Sequence, residues 1–335
     1  MKAVREQTAC HDPKVSVAMI TYNHEGYIAQ AIESVLMQQV SFAVELVIGE
    51  DCSTDRTRAI VNDYASRYPA IILAVQQPGN AGVSKNFADT LRGCRGKYIA
   101  TLEGDDYWTD PGKLEKQVAF LQGNPECVIC FHDAAIQTGG TSNGEAKTRA
   151  FYSKQPKSRA SFADHAGGFV PPTCACLFVN DRLSLEPVLT GGLLCFATTV
   201  FYCLTRSGWL TGFMPERMAV YREHAGGIWS PLSPHEKLLM AIQVAEAVYL
   251  CFKSEQGAFF EPRLFLLYLR LSADQFRAGS IGPALKSYRT SLSYVFGSFG
   301  WSRVVLFSSA RSTHLRCLRY LARYSVKRCY KLLTS

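Results

Sequence analysis

Five short apolar runs, at residues 15–20, 44–48, 71–75, 98–102 and 127–131, are separated by stretches of helical periodicity. That alternation constrains the fold more than any other feature of the chain. Residues 27–38 place Ile28, Ala31, Ile32, Val35 and Leu36 on one helical face. Residues 57–68 read as a second helix with Ser53, Thr54 and Asp55 as possible caps. The loop QPGNAGVSKN leads into a third helix carrying Phe87, Ala88 and Leu91. Asp110-Pro111 has the form of an N-cap followed by proline at the first helical position, and that helix runs to Gly123. Strands alternating with helices predict an α/β fold with a mostly parallel, doubly wound sheet and right-handed crossovers.

In such sheets ligands bind beyond the carboxyl ends of the strands. Polar clusters fall there four times in this chain: Thr21-Tyr22-Asn23, Glu50-Asp51, residues 80–86, and Glu103 to Asp106. The last is the most demanding. Glu103, Asp105 and Asp106 stand within four residues, and like charges that close raise one another's pKa. Water, a basic side chain, or a divalent ion with a phosphorylated ligand can compensate. Mg²⁺ and Mn²⁺ take carboxylate and phosphate oxygens, which suits an acidic pair at a strand end. A solvated loop is the plain alternative. Asp51 can accept hydrogen bonds from a ribose or a base edge, or can cap the following helix. Lys85 can meet phosphate or be ordinary solvated surface.

Beyond residue 137 the pattern changes. Residues 137–168 are polar and rich in Gly, Ser and Lys, an irregular excursion. Strand signals return at 174–179 and 218–221, and from Ser233 onward helical periodicity dominates, clearest over 235–253, 262–275 and 283–295. The organisation expected is a domain over 13–232 and a helical, basic region over 233–335. Residues 187–205 are uncharged for 19 residues, near the length of a membrane span. Their Pro, Gly and Thr content favours buried helix or strand-helix instead.

Charge is unevenly spread. Residues 263–335 hold 13 Lys/Arg against Asp274 alone, a net +12, so the remainder carries −4 of the total +8. Arg316, Arg319, Arg323, Lys327 and Lys331 recur at helical spacing, with Leu315, Leu318, Leu321, Ala322, Val326 and Tyr330 opposite. Residues 313–333 therefore read as a basic amphipathic helix suited to an anionic membrane surface. No aromatic platform or fold signal for nucleic acid accompanies it, so nucleic acid is not an expected partner. The N-terminus MKAVREQTACHDPK has no apolar core. The 12 cysteines are accordingly expected as reduced thiols in a cytoplasmic protein. Cys127-x-x-Cys130 and Cys174-x-Cys176 read as core residues rather than zinc ligands.

The set Thr21-Tyr22-Asn23-His24, Gly49 to Asp55, Asn80-x-Gly82 and Leu102-Glu103-Gly104-Asp105-Asp106-Tyr107-Trp108 closely resembles the bacterial branch of the family 2 glycosyltransferases. The resemblance covers about 13–135 and resumes at Met218 to Ser230, which includes Tyr221-Arg222-Glu223-His224. It implies the nucleotide-diphosphosugar transferase fold of the A type. It also implies inverting transfer of a sugar from a nucleotide-diphosphosugar to an acceptor hydroxyl, with Mg²⁺ or Mn²⁺ as cofactor. By that resemblance Thr21, Tyr22, Asn23, Glu50, Asp51, Lys85 and Asp105 face the donor nucleotide. Asp106 is the direct metal ligand, with Asp105, Glu103 and His224 nearby. The acceptor would be a glycan or lipid-linked molecule in surface polysaccharide synthesis, with the tail resting on the cytoplasmic face of the inner membrane.

An inverting transfer needs a general base. Where relatives carry an acid, this chain reads Cys195-Phe196-Ala197-Thr198-Thr199-Val200-Phe201, and no Asp or Glu occurs between Glu186 and Glu216. Glu186 is the remaining candidate. The alternative reading is a non-catalytic homologue that binds nucleotide-sugar without turnover. A nucleotidyltransferase would use an early Gly-rich basic phosphate loop, which is absent.

Overall fold

The structure is a computed structural model that describes residues 2–6, 12–139, 146–181, 185–189 and 196–296. The chain divides into two compact units, Met1–His165 with Phe169–Pro231, and Ala166–Gly168 with Leu232–Ser335.

In the first unit, β1 (Lys2–Ala3) pairs antiparallel with β3 (Gln39–Val40). The main sheet is built on β2 (Val15–Thr21), β4 (Val44–Glu50), β5 (Ile72–Gln76) and β6 (Tyr98–Glu103), parallel in the order β6-β2-β4-β5. Every residue of β2 and β4 is buried, as expected of central parallel strands covered on both faces. The helices α1 (Ile28–Leu36), α2 (Thr57–Arg67) and α3 (Val83–Gly93) supply the crossovers. Ile28, Ile32, Val35 and Leu36 of α1 join Val17, Met19, Leu46, Ile48 and Leu102 in one core. Each such side chain contributes about 1.5–3 kcal/mol on burial.

Past β6 the sheet becomes mixed. The elements are β7 (Tyr107–Trp108), α4 (Lys113–Gly123), β8 (Cys127–Thr138), β9 (Lys147–Ala150), β10 (Arg159–Ala160), α5 (Phe162–Ala166), β11 (Cys176–Val179), α6 (Glu186–Leu189), α7 (Phe196–Thr205) and β12 (Leu210–Glu223). β11 inserts antiparallel between β6 and β8, and β12 runs parallel to β8. β8 and β12 are longer than the expected 127–131 and 218–221: buried and less buried residues alternate through Ile136 in β8, and β12 begins with a second buried run at residues 211–214, ahead of three exposed residues. β12 carries register shifts around Met214 to Arg217, where Pro215 cannot donate to a ladder. Cys127, Cys130, Cys174 and Cys176 are unbridged thiols buried in this part of the sheet.

One buried amide ties the loop after β6 to the end of α1. Gln38 donates from Nε2 to Asp110 O at 2.8 Å and accepts at Oε1 from Leu114 N–H at 3.2 Å. Gln39 N–H adds a bond to Pro111 O at 2.7 Å. The expected cap at Asp110 therefore acts one turn earlier than the helix: Asp110 Oδ1 accepts from Gly112 N–H at 2.7 Å, and α4 begins at Lys113.

In the second unit, α8 (Pro234–Arg277) starts at a Ser233–Glu236 capping box and α9 (Ile281–Phe296) follows. The expected helices over 235–253 and 262–275 are one run broken at Gln256, whose φ of −141° is non-helical. Phe265, Leu269 and Ala273 form its core with Tyr288 and Tyr294 packed against them. Among the described residues no helix is long and apolar enough to cross a membrane. Within 187–205 the described residues form α6 and α7. The basic segment 313–333 lies outside the described residues.

Candidate active site

β2, β4 and β6 end in register. Thr21 pairs with Glu50 and Ile20 with Glu103, so three polar loops leave the same edge of the sheet. The first loop presents His24 on a fixed backbone. Its N–H donates to Thr57 Oγ1 at 2.8 Å, and its C=O accepts from Tyr27 and Ile28 N–H at 2.9 Å as α1 begins. Its Nδ1 lies 3.2 Å from Thr21 Oγ1. The neighbouring loop comes this close because residue 104 has no side chain. A Cβ on Gly104 would stand 2.6 Å from Thr21 Oγ1 and 3.1 Å from His24 Nδ1.

Asp105 meets two imidazoles through one oxygen. His224 Nε2, just past β12, is 3.0 Å from Asp105 Oδ2, and His24 Nε2 is 3.7 Å from the same atom. One donor atom from each of His24, Asp105 and His224 lies within 4.8 Å of the others, and among the described residues this is the group of three able to hold a metal ion. The Tyr27 ring packs 4.7 Å from His224. Burial alone would raise the Asp105 carboxyl, but the His224 hydrogen bond and the charges of His24 and His224 outweigh it and hold Asp105 below the ordinary carboxylate range.

Asp106 and Glu103 behave differently. Asp106 is 1% exposed; its Oδ1 accepts from Arg222 N–H at 2.8 Å and its Oδ2 has no hydrogen-bond partner. Glu103 Oε2 is likewise buried without a partner. Burial first, then the Asp105 and Glu103 charges, push Asp106 well above its usual value. Burial, with Asp105 adding to it, raises Glu103 to about 7. Within the acidic cluster the surroundings thus push Asp105 down and Glu103 and Asp106 up. Arg222 braces the turn: its guanidinium donates to Asp105 O and to Gln30 Oε1, with its centre 4.3 Å from the Tyr107 ring and 5.2 Å from Tyr27.

The second loop is stitched to the first. Asn23, at φ 54°, accepts at Oδ1 from Thr54 N–H at 2.8 Å and donates its own N–H to Ser53 Oγ at 3.0 Å. Asp51 is 3% exposed; its oxygens accept from Ala81 and Gly82 N–H at 2.7 and 3.0 Å, which fixes the 80–82 turn at the sheet edge. Gly82 takes the left-handed φ of 82° that this turn requires. Tyr22, in the first loop, is 40% exposed.

Not every residue singled out from sequence reaches the cluster. Glu50 is fully buried, ion-paired with Arg58 and bonded to Ser53 N–H at 2.7 Å, so its carboxylate belongs to the scaffold. Lys85 pairs with Asp89 on its own helix. Glu186 is exposed on α6 and is no part of the three-donor group. Asp106, placed first by the motif, turns inward beneath the Arg222 amide, and Asp105 takes the position between the histidines. Sequence reasoning passed over His24 and Arg222. The signal for His24 was its place in Thr21-Tyr22-Asn23-His24, one strand away from the acidic cluster.

Residues 16–181 match the profile of glycosyl transferase family 2. The matched segment, just under half of the chain, is a family 2 glycosyltransferase domain. The chain is also similar to the uncharacterized protein Rv1520 of Mycobacterium tuberculosis, 33% identical over 237 residues, with 64% of this chain and 60% of that one covered. The chain thus spans less than two thirds of the length of the curated relatives it matches first. The minor teichoic acid biosynthesis protein GgaB of Bacillus subtilis is 37% identical over 108 residues, 32% of this chain and 12% of that one. Among solved structures, S. aureus TarS 1–349 in complex with UDP-GlcNAc superposes with a TM-score of 0.52 at 16% identity, covering 85% of this chain and 92% of that one. The mannosyltransferase PcManGT from Pyrobaculum calidifontis, in complex with GDP-Man and Mn²⁺, gives 0.53 at 15% identity, covering 96% and 88%. At these identities the likeness is one of fold, and the mixed sheet with flanking helices is that of the A-type glycosyltransferases.

Proposed function

We propose that the protein is a metal-dependent, inverting glycosyltransferase that moves a sugar from a nucleotide-diphosphosugar to an acceptor hydroxyl. The observation that carries this reading is the convergence of His24, Asp105 and His224 at the carboxyl edge of the parallel strands. The donor set fits a divalent ion: two imidazole nitrogens and the carboxylate of Asp105, with the unpartnered Oδ2 of Asp106 buried nearby. When bound, the ion would supply charge stabilisation to the departing nucleoside diphosphate.

The chain's own groups then have distinct tasks. Tyr22 and the 80–82 turn held by Asp51 offer a stacking surface and backbone polar groups to a nucleoside. Asp105 and the two histidines hold the ion. Arg222 keeps Asp105 in position through its carbonyl. Residues 13–232 would form the catalytic domain and 233–335 a helical, basic accessory region. A glycan or lipid-linked acceptor, a role in surface polysaccharide, and contact of 313–333 with an anionic inner leaflet complete the proposal. The family membership and the similarity to a teichoic acid biosynthesis protein support the polysaccharide role.

The general base is the open position, and Glu186 is its candidate. A non-catalytic nucleotide-sugar binder is the second reading, motivated by the lack of any Asp or Glu between Glu186 and Glu216. One experiment separates them: purified protein with UDP-, GDP- and dTDP-sugars, assayed for binding and nucleoside diphosphate release with Mn²⁺ and with EDTA. Metal-dependent release from one donor supports the enzyme. Tight metal-dependent binding that yields no release, even with lipid-linked acceptors added, supports the binder. No binding to any donor overturns both.

A further inference from the structure

β9 and the loop after β12 carry a surface that the donor has no use for. We propose that the face of β12 shown by Tyr221 and Glu223, with Lys147 and Arg149 of β9 on one side and Trp229 on the other, binds the acceptor, and that the acceptor is an anionic saccharide bearing phosphate or carboxylate. The glycosyltransferase reading is needed only to call that saccharide the acceptor; its binding stands on the surface itself.

Three observations carry the proposal. The first is position. Lys147 pairs with Thr138 and Thr138 with Glu223, while Arg149 pairs with Ile136 and Ile136 with Tyr221. Paired residues share a face and successive residues alternate, so Lys147, Arg149, Tyr221 and Glu223 stand on one face of the sheet and Arg222 on the other. Arg149 Nη2 donates to Glu223 Oε1 at 2.8 Å, and the Phe151 ring meets Tyr221 edge-on with centroids 6.1 Å apart. Glu223 directly precedes His224, so the surface starts one residue from the three-donor group.

The second is charge. Residues 146–159 contain five Lys and Arg and no acid. Every residue of β9 is exposed, so no core accounts for the strand. The Arg149 side chain stays 58% exposed in spite of its ion pair with Glu223. Two cations against one acid leave the surface positive, and the planar Arg149 fork has donors for a ligand oxygen as well as for Glu223. Charge on an edge strand also discourages pairing with another chain. That purpose alone needs no aromatic side chain beside the charge.

The third is such a side chain. Ile228 and Trp229 are 61% and 44% exposed, yet the loop that shows them is pinned on both sides. Gly227 N–H donates to His224 O at 3.1 Å, and the Ser230 side chain meets the Tyr221 hydroxyl. Tyr221 is therefore held by Phe151 from β9 and by Ser230 from the loop, which ties the basic strand and the indole to one residue of β12. An indole held in place offers a flat apolar surface to the C–H face of a pyranose, while the cations take the anion. Small-ligand sites combine an apolar wall with a few placed polar groups in this way.

The test uses the full-length protein. Oligogalacturonate and phosphomannan are the anionic probes and dextran of matched length the neutral one, titrated calorimetrically and followed by tryptophan fluorescence. The variants are Lys147→Gln/Arg149→Gln, Trp229→Ala and the milder Trp229→Phe, with thermal melting to check that each folds. Wild type should bind an anionic probe at least about tenfold more tightly than dextran, with affinity falling between about 50 and 500 mM NaCl. The double variant and Trp229→Ala should each weaken that probe about 5- to 20-fold, Trp229→Ala should lose the fluorescence change, and Trp229→Phe should keep most of the affinity. Equal affinity for dextran, no binding to any probe, or unchanged affinity in the folded double variant and Trp229→Ala would overturn the proposal. So would vesicles containing phosphatidylglycerol that bind through these residues while the saccharides do not, since the surface would then serve a membrane. If an anionic probe binds through these residues but no nucleotide-sugar binds, the saccharide site stands and the glycosyltransferase reading fails. If nucleotide-sugars turn over while the variants keep wild-type saccharide affinity, only this proposal fails.

Discussion

Arg222 holds both members of the acidic pair at once: its backbone N–H donates to Asp106 Oδ1 at 2.8 Å, and its guanidinium donates to the carbonyl of Asp105. One residue two positions before His224 thus ties the end of β12 to the turn that carries Asp105.

Arg222→Met keeps the backbone bond to Asp106 but removes the guanidinium. Asp105 O and Gln30 lose their donor, and the charge stacked on Tyr107 disappears. We expect kcat/KM to fall about 10- to 100-fold and stability by about 1–3 kcal/mol, the cost of unsatisfied buried acceptors. Arg222→Lys should recover little of either, because an ammonium cannot reach two acceptors as a planar fork does. Steady-state kinetics and urea denaturation of both variants check this; full rescue by lysine would contradict it.

Gly104→Ala adds one methyl group where Thr21 and His24 leave no room for it. The fold should survive, with the clash relieved by a shift of Thr21 that carries His24 with it. Mn²⁺ affinity is expected to drop at least tenfold, with a comparable loss of turnover and a melting temperature within a few degrees of wild type. Retention of wild-type Mn²⁺ affinity would show that His24 need not stay where it is.

Lys113 is fully buried, its ammonium 3.8 Å from the centre of the Trp108 ring and bonded to Gln117 Oε1 at 2.6 Å. Burial pulls its pKa down to about 7. An unfolded lysine keeps its proton to about pH 10.4, so between pH 7 and 10 the unfolded chain binds more protons and the native state gains stability as pH rises. Lys113→Met removes that dependence and the desolvation cost. The variant should match or exceed wild type at pH 7, and the difference should shift toward wild type by pH 10. Parallel stability curves for the two proteins would refute the assignment.

His132 and His165 are buried, and burial, reinforced at His132 by the Lys113 charge, lowers both pKa values. Unfolded histidine protonates near pH 6.5, so these groups cost stability as pH falls below about 6.5, at up to about 1.4 kcal/mol per pH unit each. Glu103 and Asp106, raised in the native state, act in the opposite sense over part of that range. The histidine contribution is isolated by comparing wild type with His165→Gln in urea at pH 7.5, 6.5 and 5.5. Whatever the substitution costs at pH 7.5 should shrink as pH falls, and a constant difference would rule the effect out.

Much of this molecule was legible in its pattern of apolar runs. β2, β4 and β6 are buried parallel strands whose sequences read almost continuously apolar, and the polar residues that follow them fall at one edge as the parallel arrangement demands. What was not legible depends on pairings distant in sequence. β11 enters the sheet antiparallel between two strands that precede it, which no local periodicity encodes. Asp105 and Asp106 are adjacent, and successive residues at a strand end face opposite ways. Composition cannot say which one turns outward; the Arg222 amide, more than a hundred residues away, decides it. His24 was visible as a residue, but its role needed the closeness of Gly104 to Thr21.

The Gln38 amide bridges the end of α1 to both sides of the turn at Asp110, 72 and 76 residues further along the chain. Both bonds end on main-chain atoms, so the clasp reads the path of the turn and not its side chains. The carboxylate loop can therefore change its residues while its exit toward α4 stays anchored from a helix that precedes it by a whole crossover.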